Sequence, residues 1–202
     1  MSDLVEHWDA VYRRHDAHSW DQTRPTIALG LLDAVGLPAH AAAIDVGGGD
    51  GALAAALLDR GHTDITVLDI SAEALAAGRA RLGEASDAVR WLVADIRRWQ
   101  PERSFDLWHD RAVFHFLTRA EDRAAYVRQV AHAVRPGGHV IVATFGPEGP
   151  EKCSGLDVMR YDADGLHGEF GPKFRLLDSV TELHETPWGT PQQFMYCFCR
   201  VE

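Results

Sequence analysis

Two stretches of this 202-residue sequence combine residue types that could do chemistry. The first is Ile44-Asp45-Val46-Gly47-Gly48-Gly49-Asp50-Gly51, an apolar run that ends in glycines. Glycine tolerates positive φ and lets backbone approach a bound molecule closely. The second is Trp108-His109-Asp110-Arg111-Ala112-Val113-Phe114-His115-Phe116, dense in titratable groups beside aromatics. His109, Asp110 and His115 are candidate bases or substrate ligands, because imidazole titrates near neutral pH and a positioned side chain can take a proton. A structural reading competes: Asp110 and Arg111 as an ion pair, His115 bonded to backbone. Neither stretch has a CxxC or HxxxH partner set, so no metal site is expected.

The glycine run must be assigned a ligand class. Gly47, Gly49 and Ala52 satisfy the G-x-G-x-x-G/A pattern of dinucleotide binders, so NAD has to be weighed against S-adenosylmethionine. Charge separates them. A dinucleotide sets its pyrophosphate at the N-terminus of the helix that follows. Asp50 enters that helix here, and Asp45 lies two residues before the first glycine. S-adenosylmethionine has no phosphate and carries a sulfonium and an ammonium, which carboxylates favour. Asp69 ends the next apolar run and can accept from ribose hydroxyls, a role common to both ligands. Asp95 ends the third, where it could accept from an exocyclic adenine amine. Each has a plainer reading, Asp50 as a helix cap and Asp95 facing solvent. Carboxylates at successive strand ends favour the ligand role.

The elements that must position these residues follow from the pattern. Apolar runs at residues 42–46, 65–70, 89–94, 105–109 and 140–145 predict five strands. Helices are expected at 51–60, stopped by Gly61, and from Ser71 as N-cap to about residue 82. A third follows a Thr118/Glu121 capping box and ends at Pro136-Gly137-Gly138. Strands alternating with helices predict a doubly wound, Rossmann-like α/β fold with a parallel sheet covered on both faces. Residues 146–155 read as an ordered loop able to fold over the site as a lid. Residues 162–171 read as a short helix, and 176–185 with 194–201 as a closing antiparallel hairpin. The chain is expected to be one domain: an N-terminal cap or lid segment at 1–35 with a helix at 26–35, a ligand-binding core at 42–145, and the lid loop and hairpin at 146–202.

Composition narrows the function classes. Hydrophobic residues are 46% and charged residues 25%, ordinary for a globular protein. Acidic residues exceed basic ones by 30 to 20, a formal charge of −10 that repels phosphate backbones, so nucleic-acid binding is not expected. Cys153, Cys197 and Cys199 cannot all pair, which fits a reducing, cytoplasmic compartment. Cys153 reads as packing before nucleophile, and Cys197 and Cys199 as core residues on one strand face. The first residues lack the basic and apolar regions of a secretory signal, and no apolar run is long enough for a membrane span.

The ordered series Asp45-x-Gly-x-Gly-x-Gly51, Val67-Leu68-Asp69-Ile70-Ser71, Ala94-Asp95-Ile96, Phe105-Asp106-Leu107-Trp108 and Val134-Arg135-Pro136-Gly137-Gly138 resembles the motifs of class I S-adenosylmethionine-dependent methyltransferases. The resemblance covers about residues 42 to 145. It implies a seven-stranded sheet whose last strand runs antiparallel. It implies that Asp45, Gly47 and Gly49 line the methionine part, that Asp69 takes the ribose with Ile70 against adenine, and that Asp95 takes the adenine amine beside Ile96. It also places the acceptor pocket past the fourth strand, near His109, Asp110 and His115. Trp8-x-x-x-Tyr12 followed by Ser19-Trp20 is similar to the branch of eukaryotic elongation-factor lysine methyltransferases, in which such aromatics touch the cofactor. Arg111 stands where that branch has a lysine. A hydrophobic staple is the alternative for Trp8 and Tyr12. The branch's acceptor-binding features are not evident. The expected reaction is therefore methyl transfer to a small molecule, a thiol or other soft nucleophile among the choices. A protein lysine methyltransferase and a silent cofactor-binding regulator are the alternatives, and an NAD-dependent oxidoreductase is disfavoured by charge. The expected partners are a small-molecule substrate, no nucleic acid and no membrane, in a monomer or homodimer.

Overall fold

The computed structural model describes residues 2–14 and 16–202; positions 1 and 15 of the expected N-terminal segment lie outside the described residues. The chain divides into two compact units, residues 1–17 with 22–99 and residues 18–21 with 100–202.

The first unit pairs strands β1 (Ala43–Val46), β2 (Ile65–Asp69) and β3 (Val89–Val93) in parallel, with β2 in the middle. Four helices join them: α1 (Ser2–Tyr12), α2 (Thr26–Val35), α3 (Ala52–Asp59) and α4 (Ala72–Leu82). Every residue of β1 and β2 is buried, as their unbroken apolar character requires. Each of Ile44, Val46, Val67 and Leu68 therefore stabilises the unit by roughly 1.5–3 kcal/mol relative to exposure. Ser71 caps α4 as expected, its Oγ accepting from the Ala74 amide at 3.1 Å. The register sets Asp69 opposite Val93, so the C-terminal ends of the three strands point the same way.

The second unit contains β4 (Phe105–Arg111), α5 (Ala120–Ala133), β5 (Val134–Phe145), a two-residue hairpin β6 (Lys152–Cys153) and β7 (Leu156–Asp157), α6 (Ala163–Phe170), β8 (Phe174–Glu185) and β9 (Pro191–Val201). β4 and β5 are parallel; β9 lies antiparallel between β5 and β8. The chain thus has the seven-stranded, mostly parallel Rossmann-like sheet with an antiparallel last strand.

Two local expectations fail. The Thr118/Glu121 capping box does not form: α5 begins after Arg119, which makes no side-chain cap and instead pairs with Glu121. The helix also ends at Ala133, before Pro136, because Val134 already pairs with Phe105. The ladder resumes at Leu107 and His139 after an irregularity that absorbs the Pro-Gly-Gly segment. Among the described residues no helix is long and apolar enough to cross a membrane.

Candidate functional site

In the first unit the backbone leaves β1 through Gly47, Gly49 and Gly51, all at positive φ (66°, 50° and 75°). The turn's amides are used internally. Gly47 and Gly48 donate to the Leu68 carbonyl (2.7 and 3.3 Å), Gly51 donates to the Gly48 carbonyl (2.8 Å), and Gly49 donates to Asp69 Oδ2 (3.1 Å). A Cβ at Gly49 would sit 2.5 Å from Tyr12 Oη, and one at Gly48 2.7 Å from Asp45 Oδ2. Side chains thus approach this turn from α1 and from β1. Asp69 is buried and also accepts from the Ser71 amide (2.9 Å). Burial pushes its carboxyl up to about 6; the Ser71 and Gly49 amides oppose the shift and the neighbouring Asp45 adds to it. Two buried carboxylates therefore stand together at a turn whose Gly47, Gly48, Gly49 and Gly51 amides already have acceptors. That arrangement suits hydroxyl donors and a cation. The two carboxylates disfavour a diphosphate, whose negative charge they would repel.

The other two candidate acids of this unit, Asp50 and Asp95, are charge-compensated. Asp50 does not cap α3, whose N-cap is Gly51 without a side-chain bond; its carboxylate pairs with Arg81. The charge set against a phosphate is therefore that of Asp45 and Asp69, since Arg81 offsets Asp50. Asp95 is half-buried instead of facing solvent, two residues beyond β3. Arg97 grips it through Nε at 2.9 Å and Nη2 at 2.6 Å. Burial pushes its carboxyl up, but the Arg97 hydrogen bonds and charge prevail and hold it below the usual carboxylate value. Ile96 beside it is buried and Ile70 half-buried. Helix α1 is fastened by Ser71 Oγ donating to Asp9 (2.6 Å) and by Arg13 donating to Glu73 (3.0 Å). These contacts carry Tyr12 to Gly49. Trp8, half-buried on the same helix, packs edge-on against His7.

The second unit treats its candidates differently. Asp110 is fully buried. It accepts from Tyr126 Oη (2.5 Å) and from the Val113 and Phe114 amides (2.9 and 3.1 Å), and Trp108 Nε1 donates to the same Tyr126 oxygen (2.8 Å). Burial lifts its carboxyl to about 6 against these bonds. The expected Asp110–Arg111 pair is absent: Arg111 turns to other partners. Its Nε donates to Tyr196 Oη (2.9 Å), Nη1 to the Trp20 carbonyl (2.9 Å) and Nη2 to Glu182 (3.4 Å), while its guanidinium lies 4.0 Å from the centre of the Phe194 ring. Trp20 stacks on His18, and the Ser19 carbonyl accepts from His184 Nε2 (2.9 Å), so residues 18–20 are held by the hairpin unit. His115 is fully buried, with Nδ1 facing the Phe145 amide at 3.4 Å, and burial, with Arg111 adding, drives its pKa down to about 3. His109 is buried in β4 opposite Ile141. Asp110 and His115 are thus each desolvated and bonded within their own unit.

The loop after β5 is tied down. Gly146 donates to the Gln193 carbonyl (2.9 Å), Glu148 to Gln193 Oε1 (3.0 Å), and Arg160 holds the Pro147 and Gly149 carbonyls (both 3.1 Å). Cys153 is buried there with its thiol pushed up to about 12 by desolvation, so it is no nucleophile. Cys197 and Cys199 are buried on one face of β9 with Sγ atoms 3.4 Å apart. Among the described residues no group of three or more His, Cys, Asp or Glu could hold a metal ion. Sequence reasoning missed the partners Arg81, Arg97, Tyr126 and Glu182. Only Arg97 left a local signal, an Asp-x-Arg spacing; the others come from 16 to 71 residues away.

A profile of the methyltransferase domain family matches residues 43–138. A trans-aconitate 2-methyltransferase of an Azoarcus species is 34% identical over 116 residues, 57% of this chain and 43% of that protein. The chain spans about half the length of the curated relatives it matches. A structure described by the conversion of a disulfide bond into a thioacetal group during echinomycin biosynthesis superposes with a TM-score of 0.76 at 22% identity, over 98% of this chain and 92% of that one. The N-methyltransferase NodS of Bradyrhizobium japonicum, solved with S-adenosyl-L-homocysteine, gives 0.69 at 14% identity over 96% and 97%.

Proposed function

We propose that the chain, whose residues 43–138 match the methyltransferase domain family, is a class I S-adenosylmethionine-dependent methyltransferase that moves a methyl group from S-adenosylmethionine to a small-molecule acceptor. The observation that carries the cofactor half is the glycine turn. Buried Asp45 and Asp69 flank it, so the charge present favours a cationic nucleoside over a diphosphate. We assign Asp69 to the ribose hydroxyls, Asp95 to the adenine amine between Ile70 and Ile96, and Asp45, Gly47 and Gly49 to the methionine part. Tyr12 closes the turn from α1. Trp8 lies on the same helix, and in the second unit Arg111 holds the Trp20 carbonyl. When bound, the cofactor supplies an electrophilic methyl on a sulfonium.

The acceptor half rests on how the second unit ties up two of its three candidate bases. Asp110 and His115 are buried and bonded within the fold, so neither presents a general base. The chain then works by aligning and desolvating a nucleophile that arrives already able to attack, such as a thiolate, amine or carboxylate. The names of the trans-aconitate and echinomycin proteins support a small acceptor. The three thiols, buried and unbridged, support a reducing, cytoplasmic compartment.

Calorimetric titration with S-adenosylmethionine, S-adenosyl-L-homocysteine and NAD tests the cofactor assignment: micromolar binding of the sulfur nucleosides and none of NAD is expected, and the reverse overturns it. Radiolabelled methyl transfer in a cell lysate tests the acceptor. Label in the small-molecule fraction is expected. Label in a discrete protein band would favour the lysine methyltransferase reading, and binding without turnover the silent regulator.

A further inference from the structure

The adenine role given to Asp95 leaves open how that carboxylate is aimed, and the inference here rests on the cofactor reading above. We infer that Arg97 is a positioning residue for nucleobase recognition: it occupies three of the four acceptor positions of the Asp95 carboxylate and leaves one, on Oδ2, for a single N–H donor. Oδ1 accepts the Arg97 amide (3.0 Å) and Arg97 Nε (2.9 Å), which use both of its lone pairs. Oδ2 accepts Arg97 Nη2 at 2.6 Å, with a weaker shared contact to Nε at 3.2 Å. The remaining Oδ2 lone pair matches one hydrogen of an exocyclic amine.

The local fold makes the grip rigid. The Asp95 carbonyl accepts the Arg98 and Trp99 amides (both 2.9 Å), closing a turn that presents the Arg97 amide and side chain to one carboxylate. Ile96, between the two partners, is buried and anchors the turn. The planar guanidinium fork fixes the carboxylate plane as a lysine ammonium cannot. A carboxylate so fixed turns an acceptor lone pair toward the base. It therefore favours a 6-amino purine and opposes a 6-oxo purine, whose oxygen would face it without an intervening proton. Without Arg97 the carboxylate can rotate and bind water, and this discrimination weakens.

The test is equilibrium binding of S-adenosyl-L-homocysteine and S-inosyl-L-homocysteine to the wild type, Arg97→Lys, Arg97→Ala and Asp95→Asn, with thermal melts as folding controls. The ratio of the two affinities cancels Asp45 and Asp69, which meet parts common to both ligands. The wild type should prefer the amino ligand by about 10-fold or more, since a site built to hydrogen-bond one group rejects the analogue lacking it. Arg97→Ala should lose about 10-fold in affinity for the amino ligand, one charge-assisted hydrogen bond's worth, and its ratio should fall to within about threefold. Arg97→Lys, which keeps the charge but not the fork, should fall between; if the alanine variant does not fold, this variant decides. A wild-type ratio in folded Arg97→Ala or Arg97→Lys overturns the inference, as does tighter binding by either, which would make Arg97 a competitor for the carboxylate. A wild-type chain that binds neither ligand sinks the cofactor reading, and this inference with it. That result is distinct from an intact affinity with an unmoved ratio.

Discussion

The glycine turn of the first unit and the end of β4 in the second each gather several titratable side chains, and the fold treats them in opposite ways. At the turn, Asp69 accepts two backbone amides, and its neighbour Asp45 is buried within the same strand ends. Along β4, Asp110 takes one hydroxyl and two amides, and Arg111 spreads across a tyrosine, a carbonyl and a carboxylate. The first arrangement leaves acceptor character beside a bare backbone; the second ties Asp110 and Arg111 to several groups each. Density of ionisable residues is thus a poor guide to chemistry, and the number of partners each group has already found is a better one.

The largest effect that could break this contrast is on cofactor binding. Asp69→Ala should weaken S-adenosyl-L-homocysteine binding by about 100-fold or more, because two charge-assisted hydrogen bonds at about 1.5–3 kcal/mol each are lost. Affinity within about threefold of wild type, by calorimetry, would put the ligand elsewhere. Asp110→Ala should do the reverse: affinity for the same nucleoside stays within about threefold, while stability drops by about 3 kcal/mol because the Tyr126 hydroxyl and two amides lose their acceptor. Thermal melts should show Tm lower by about 10 °C. An unchanged Tm with lost turnover would make Asp110 a reacting group after all.

The pH dependence sharpens the same contrast. Burial holds the His115 imidazole near 3, against about 6.5 when unfolded, so the unfolded chain binds this proton first. The contribution is fully present above about pH 6.5 and is lost as pH falls. Between pH 7 and 5 the wild type should lose about 2 kcal/mol through this group, a loss that His115→Gln escapes. Asp69 and Asp110, both raised to about 6, gain stability over that window in both proteins and cancel in the comparison. Parallel Tm-versus-pH curves would mean that His115 is solvated. The smallest effect concerns Ala112, which follows Arg111 at a φ of 72° that favours glycine. Ala112→Gly should stabilise by about 1 kcal/mol, raising Tm by about 3 °C. A lower Tm would show that this backbone is unstrained.

Much of this was legible in the residues alone. Unbroken apolar runs separated by helical spacing marked β1, β2 and their helices, because a strand buried on both faces admits no alternation. The glycines before Gly51 and the acids at residues 45, 69 and 95 marked the C-terminal ends of the strands, since strand polarity alone puts them there. Local rules failed where pairing overrode them: Val134 left its helix to join Phe105, and Thr118 never became a cap.

What the sequence determined by itself, then, is everything set by spacing along the chain: the alternation of strands and helices, the glycine turn, and the acids at successive strand ends. Which of those acids are compensated, and which partners the candidate bases meet, came from the tertiary structure alone. Arg81 reaches Asp50 across 31 residues, Tyr126 reaches Asp110 across 16, and Glu182 reaches Arg111 across 71. The reason is physical. Protonation and reactivity depend on burial and on partners brought from far along the chain, and no local pattern encodes either.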